Sequence, residues 1–118
     1  MRSWGVGGES VPADVVRQMH KIFPKLEPIN TYGPTEVTAV AVHYQFPRDF
    51  QDVVIGHPDA NMIAVIIDAA LRPVPVGVPG ELVLSGPRLA LGYAGRPDLT
   101  EEKFISNPCF DLFAGRVP

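Results

Sequence analysis

A helix-periodic stretch set between two short extended ones constrains this chain more than any other feature. Residues 3–8, Ser-Trp-Gly-Val-Gly-Gly, read as a short strand running into a glycine turn. Val15, Val16, Met19, Ile22 and Phe23 then recur at helical spacing and form one apolar face, with Asp14, Arg17, Gln18 and Lys21 opposite. Ser10 is the expected N-cap, and Pro12 falls in the first turn, where its missing N–H costs little. Pro24 and Pro28 end the helix, and Glu27 to Thr31 reads as a second strand. Strand, helix and strand in about thirty residues make a βαβ unit, with a parallel strand pair and a right-handed crossover. Ligands of open α/β sheets collect beyond the carboxyl ends of the strands. Both Gly7-Gly8 and the residues after Thr31 belong there.

Those residues are chemically dense. Asn30-Thr31-Tyr32-Gly33-Pro34-Thr35-Glu36 holds a ring, a forced turn, a hydroxyl and a carboxylate. Gly33 can take positive φ or admit a close ligand, and Pro34 stiffens the bend. Tyr32 offers a flat face with a polar tip, and Thr35 a hydroxyl donor. Glu36 suits a phosphate site only if a hard cation such as Mg²⁺ lies between the two negative groups. The same residues also suit an ordinary turn, in which Tyr32 is a core ring, Thr35 bonds its own backbone and Glu36 is solvated.

Beyond Glu36 the chain turns β-rich. Val37 to Phe46 reads as a strand, Pro47 to Asp52 as a polar loop, and Val53-Val54-Ile55-Gly56 as a brief apolar run. Met62 to Ile67 and Gly80 to Ser85 read as strands, joined by a proline-rich connection, and Leu89 to Tyr93 as a last short strand. Asp98 to Phe104 reads as a short helix, with Asp98 and Glu101 at capping-box spacing. The expected fold class is α/β: one βαβ unit followed by a β-rich half-barrel and a short helix. Residues 109–118 read as an irregular tail.

Composition narrows the function classes. At 118 residues and 46% hydrophobic content the chain is one globular domain at most. A formal net charge of -3 carries no basic footprint, which argues against nucleic acid as the main partner. The single cysteine, Cys109, leaves no internal disulfide and no cysteine-based zinc site. His20, His43 and His57 fall in no ligand spacing and read as surface or satisfied side chains. With no signal peptide and no membrane-length apolar run, the expected location is cytoplasmic, away from any membrane.

Asn-x-Tyr-Gly-Pro-Thr-Glu resembles the signature loop of adenylate-forming (AMP-binding) enzymes, most closely the amino-acid adenylation domains of nonribosomal peptide synthetases. Gly7-Gly8-Glu9 upstream agrees in order and spacing, as do Gly80-Glu81-Leu82, Gly92-Tyr93, Arg96-Pro97, Leu99-Thr100 and Phe104 downstream. The resemblance runs over residues 1–108. It implies an ATP-dependent reaction in which a carboxylic or amino acid is converted to an acyl-adenylate and pyrophosphate. The acyl group then passes to phosphopantetheine on a partner carrier-protein domain. Tyr32 would stack on adenine, bordered by Asn30, Gly33 and the backbone of Gly7, Gly8 and Glu9. Thr35 would donate to the α-phosphate and Glu36 would hold Mg²⁺. Trp4, Val6, Thr31, Ala39 and Val40 would line the acyl pocket. Arg88, Leu89, Gly92 and Tyr93 would be scaffold.

The family's phosphate loop with its lysine, its Thr-Gly-Asp and its late catalytic lysine have no counterpart in these residues. The expectation is therefore a middle piece of such a domain, inactive alone and completed by the remainder of the domain. Two other readings stay open: a piece of an acyl- or aryl-acid CoA ligase, and a non-catalytic nucleotide-binding or interaction module.

Overall fold

The computed structural model describes residues 2–107, so the expected tail at 109–118 lies outside the described residues. Strand β1 (Ser3–Gly7), helix α1 (Ala13–Ile22) and strand β2 (Glu27–Tyr32) form the expected unit, and β1 pairs with β2 in parallel. Strands β3 (Val42–Gln45) and β4 (His57–Pro58) add to β2 antiparallel, giving a four-stranded sheet in the order β1-β2-β3-β4. Strands β5 (Ile63–Ile67) and β6 (Glu81–Ser85) form a separate antiparallel pair, and helix α2 (Pro97–Lys103) follows.

Two clusters hold these layers together. Under α1, Val16, Phe46 and Phe50 are buried and Val6, Val11, Ala13, Tyr44 and Val53 pack around them. Val37, Ala41, Val42 and Met62 form the second cluster and receive Ala64 and Leu84 from the β5–β6 pair. That second cluster holds the 3₁₀ turn at Val37 and the start of β3 against the second sheet, and Val42, in register with Tyr32, ties the end of β2 to it.

Several expectations need correction. Ser10 does not cap α1. The cap is Pro12, in extended conformation, whose carbonyl accepts from Val15 and Val16 N–H. Only part of the apolar helix face is covered: Val16 is buried while Val15, Ile22 and Phe23 are exposed. His20 is buried instead, and neither ring nitrogen has a hydrogen-bond partner. It is therefore not the surface or satisfied histidine that its spacing suggested. The strand expected from Val37 begins only at Val42, because Thr35–Val37 is a 3₁₀ turn and Thr38 and Ala39 adopt left-handed φ of 59° and 72°. Left-handed backbone cannot join a ladder, so the β propensity of that run is overridden. Residues 89–93 form no strand. Helix α2 has no side-chain cap, since Asp98 turns to the Arg96 guanidinium at 2.8 Å.

Candidate functional site

β1 and β2 run side by side and end together, with Gly7 in register with Thr31. Everything that follows the two strands therefore converges at one end of the sheet. A groove of about 450 Å³ lies there, lined by Gly8, Glu9, Asn30, Tyr32, Gly33 and the loop Val53 to Ile55 among others. The structure thus brings together most of the residues expected to border a nucleotide base. Gly8 turns the chain with φ of 90°, beyond easy reach of an L side chain. Gly33 is needed for a different reason from the one its sequence suggested. Its φ is not positive; instead a Cβ there would stand 2.8 Å from the Ala39 carbonyl oxygen and from the Ala41 nitrogen. Close backbone approach makes it glycine.

Asn30 is buried, and its side-chain amide donates to the Val54 carbonyl at 2.8 Å. One strand residue thus pins the whole apolar wall Val53 to Ile55 against the groove. Sequence reasoning passed over that wall. Its only signal is an apolar run in a loop that is too brief to be a strand.

Tyr32 stands 40% exposed at the end of β2, although it is a large aromatic. It borders the first groove and also a second hollow of about 360 Å³, which it shares with Pro34, Glu36, Leu84, Tyr93 and Phe104 among others. Tyr32 and Pro34 thus line both spaces. Thr35 lines neither of them. Glu36 opens on the second, where the Tyr93 hydroxyl donates to its Oε1. That bond, and then the residue's own backbone N–H, hold the Glu36 carboxyl below the usual carboxylate range, while the same contact raises Tyr93 above the usual phenol value. The pair is a carboxylate facing a neutral phenol.

Among the described residues no cluster of three His, Cys, Asp or Glu could hold a metal alone. The donor set nonetheless fits Mg²⁺ as nucleotides bring it, because that ion takes one or two carboxylates and completes its shell with phosphate oxygens and water. Glu36, ionised and with Oε2 free of the Tyr93 bond, is the side chain that would supply such a carboxylate.

The expected acyl-pocket residues are not all on one side. The parallel register sets Trp4 against Pro28, Gly5 against Ile29, Val6 against Asn30 and Gly7 against Thr31. Side chains alternate along a strand, so Thr31 shares its face with Gly5 and Gly7, and Trp4 and Val6 point away from it. Local contacts agree. Val6 packs into the cluster beneath α1. Trp4 borders an apolar hollow with Ile22, Phe23 and Leu26. A Cβ placed on Gly5 would meet the Thr31 methyl at 3.8 Å, and one on Gly7 would meet the Thr31 hydroxyl oxygen at 2.5 Å. Trp4 and Val6 therefore lie on the face of the strand pair opposite to Thr31. Ala39 and Val40 border neither hollow; Ala39 belongs to the left-handed bend behind Gly33 and Val40 follows it.

This fold, with a glycine turn and a Tyr-Gly-Pro-Thr-Glu loop meeting at one end of a sheet, is that of an adenylate-forming domain. The chain belongs to the AMP-binding enzyme family, whose model matches residues 1–94. Within it the relatives are peptide synthetases. The chain is 41% identical over 109 residues to tyrocidine synthase 3 of Brevibacillus parabrevis, covering 92% of this chain and 2% of that protein. It is 42% identical over 103 residues to bacitracin synthase 3 of Bacillus licheniformis, covering 87% of this chain and again 2% of the other. Among solved structures it superposes on the nonribosomal peptide synthetase FmoA3 in its α-methyl-L-serine-AMP bound form, with a TM-score of 0.84, 31% identity, and coverage of 92% of this chain and 13% of that one. A peptide synthetase protein containing adenylation and PCP domains gives a TM-score of 0.79 at 26% identity, over 86% of this chain and 21% of the other. The chain therefore spans a small part of each of these proteins. None of its described helices is long and apolar enough to cross a membrane.

Proposed function

We propose that these residues form the nucleotide-facing centre of a domain that activates an amino acid with ATP. In that reaction a substrate carboxylate oxygen attacks the α-phosphorus, the bond to the pyrophosphate leaving group breaks, and an aminoacyl-adenylate results. The acyl group is then passed to the phosphopantetheine thiol of a carrier domain. The relative built of adenylation and PCP domains supports that partner.

One observation carries the reading: Tyr32 is held exposed at the end of β2, beside the Gly8 turn and above the wall pinned by Asn30. An aromatic face at the rim of a groove is a stacking platform for a base. In this reading adenine lies on Tyr32, bordered by Asn30, Gly33 and the backbone from Gly7 to Glu9. The phosphates extend toward Thr35, whose hydroxyl donates to the α-phosphate, and toward Glu36. Magnesium, when bound, neutralises phosphate charge; Glu36 is the side chain that anchors it. Thr31 stands as one wall of the acyl pocket, on the face that it shares with Gly5 and Gly7. Thr31 fills the space beside both glycines, its methyl 3.8 Å from a Cβ placed on Gly5 and its hydroxyl oxygen 2.5 Å from one placed on Gly7, and it donates that hydroxyl to the Val6 carbonyl at 3.2 Å.

The 118-residue chain on its own has no pyrophosphate-forming activity in this reading, because groups that act as a unit in catalysis fail together when some are absent. Binding is the measurable remainder. Calorimetric titration of the chain with ATP and Mg²⁺ is expected to show weak association that Tyr32→Ala reduces roughly tenfold or more, the worth of one base–aromatic stack. Equal binding by the variant refutes the assignment of the base to Tyr32.

A further inference from the structure

Residues 88–93 lie along the bend that carries Glu36 and hold it at several points. Thr38 Oγ1 donates to the Arg88 carbonyl at 2.9 Å, and Arg88 Nη1 donates to the Val40 carbonyl at 2.9 Å. The Ala90 N–H donates to the Glu36 carbonyl at 2.7 Å, and the Tyr93 hydroxyl donates to Glu36 Oε1. The bend needs such support, because two consecutive non-glycine residues in left-handed backbone are unfavourable without it.

Tyr93 is itself fixed from behind. Its ring meets Phe104 edge to face, with centroids 5.6 Å apart. Its N–H donates to Thr100 Oγ1 at 2.9 Å, and that hydroxyl donates to the Arg96 carbonyl at 2.9 Å. Gly92 lets the two segments meet: a Cβ there would fall 2.4 Å from the Thr100 methyl. The phenol oxygen is thus placed by α2, far along the chain from the bend it serves.

A carboxylate has two oxygens, and this one has Oε1 committed to a neutral donor. We propose that Tyr93 is a positioning residue. By holding Oε1 it presents Oε2 alone to the cation that accompanies the nucleotide, so that Glu36 binds through one oxygen. Hard octahedral cations demand near-ideal geometry, so a carboxylate free to rotate binds them less well. Hydrogen bonds to a metal-ligating group are worth about tenfold to a hundredfold in metal affinity. The inference rests on the nucleotide reading above and assigns a role to a residue that the sequence suggested was scaffold.

The test compares the wild-type chain, Tyr93→Phe, Glu36→Gln and the double variant. Phe keeps the ring on Phe104 and removes only the hydroxyl, and thermal unfolding establishes that each variant folds. The readout is the ratio of ATP affinities with Mg²⁺ and with chelator present. Tyr93→Phe is expected to leave metal-free affinity unchanged and to cut the magnesium-dependent gain about tenfold. Glu36→Gln is expected to abolish the gain, and adding Tyr93→Phe to it to cost nothing more. Amide exchange at Val37, Thr38 and Val40 is expected to quicken in Tyr93→Phe with no nucleotide present. A full magnesium gain in Tyr93→Phe, or an equal loss with and without metal, overturns the role of Tyr93 while leaving the nucleotide reading intact. A wild-type chain that gains nothing from magnesium overturns the nucleotide reading, and the inference falls with it.

Discussion

Gly33 sits where the chain folds back against its own bend, with the Tyr32 carbonyl accepting from Ala41 N–H at 2.9 Å just beside it. A methyl group there has no space between the Ala39 carbonyl and the Ala41 nitrogen. Gly33→Ala is expected to lower stability by about 1–3 kcal/mol, the usual cost of overpacking, measurable as a lower urea midpoint at unchanged slope. The sequence marked this glycine correctly and gave the wrong cause, because a Gly-Pro pair reports a bend without reporting what lies across it. The motif groups Trp4 and Val6 with Thr31, whereas the register that sets Gly7 opposite Thr31 places them on the other face of the strand pair, a relation that belongs to the pairing and not to the local sequence.

Among the elements, those with long-period patterning were legible and those fixed from a distance were not. The βαβ unit follows from periodicity and proline placement, both local properties. The end of α1 does not. The carbonyl of His20 in its last turn, and that of Pro24 just beyond it, accept from the Arg48 guanidinium in the loop after β3, a capping role invisible at that separation. The segment 37–46 has the composition of one strand, yet Arg88 and Ala90 hold its first half in a bend. Arg88 reaches further: it also bonds Asp59, and this contact, with the Ala60 N–H, keeps the Asp59 carboxyl below its ordinary value. A depressed carboxyl stabilises the fold above its unfolded pKa of about 3.9, and that contribution is lost as pH falls through the folded value. Stability is therefore expected to be flat toward neutrality and to fall below about pH 4, and Asp59→Asn to be less stable at pH 7 with a shallower acid limb. Chemical denaturation at a series of pH values checks this; an unchanged acid limb in Asp59→Asn contradicts it.

At the scale of the whole chain, one side is finished and another is open. The cluster of Val37, Ala41, Val42 and Met62 seals the sheet against the β5–β6 pair. On the other side Trp4 is 49% exposed and Ile22 is 66% exposed, around an apolar hollow that also includes Phe23. Monomeric surfaces seldom leave such apolar side chains together. That exposure accords with a chain that spans about 2% of the tyrocidine and bacitracin synthases it matches. The nucleotide groove is nonetheless built within the described residues, from β1, β2 and the wall at Val53 to Ile55. A crystal structure of the chain soaked with AMP and Mg²⁺ shows whether that groove takes an adenine base against Tyr32. The base is expected flat on the Tyr32 ring, between Gly8 and Gly33; ordered AMP lodged elsewhere, with Tyr32 bare, rules the assignment out.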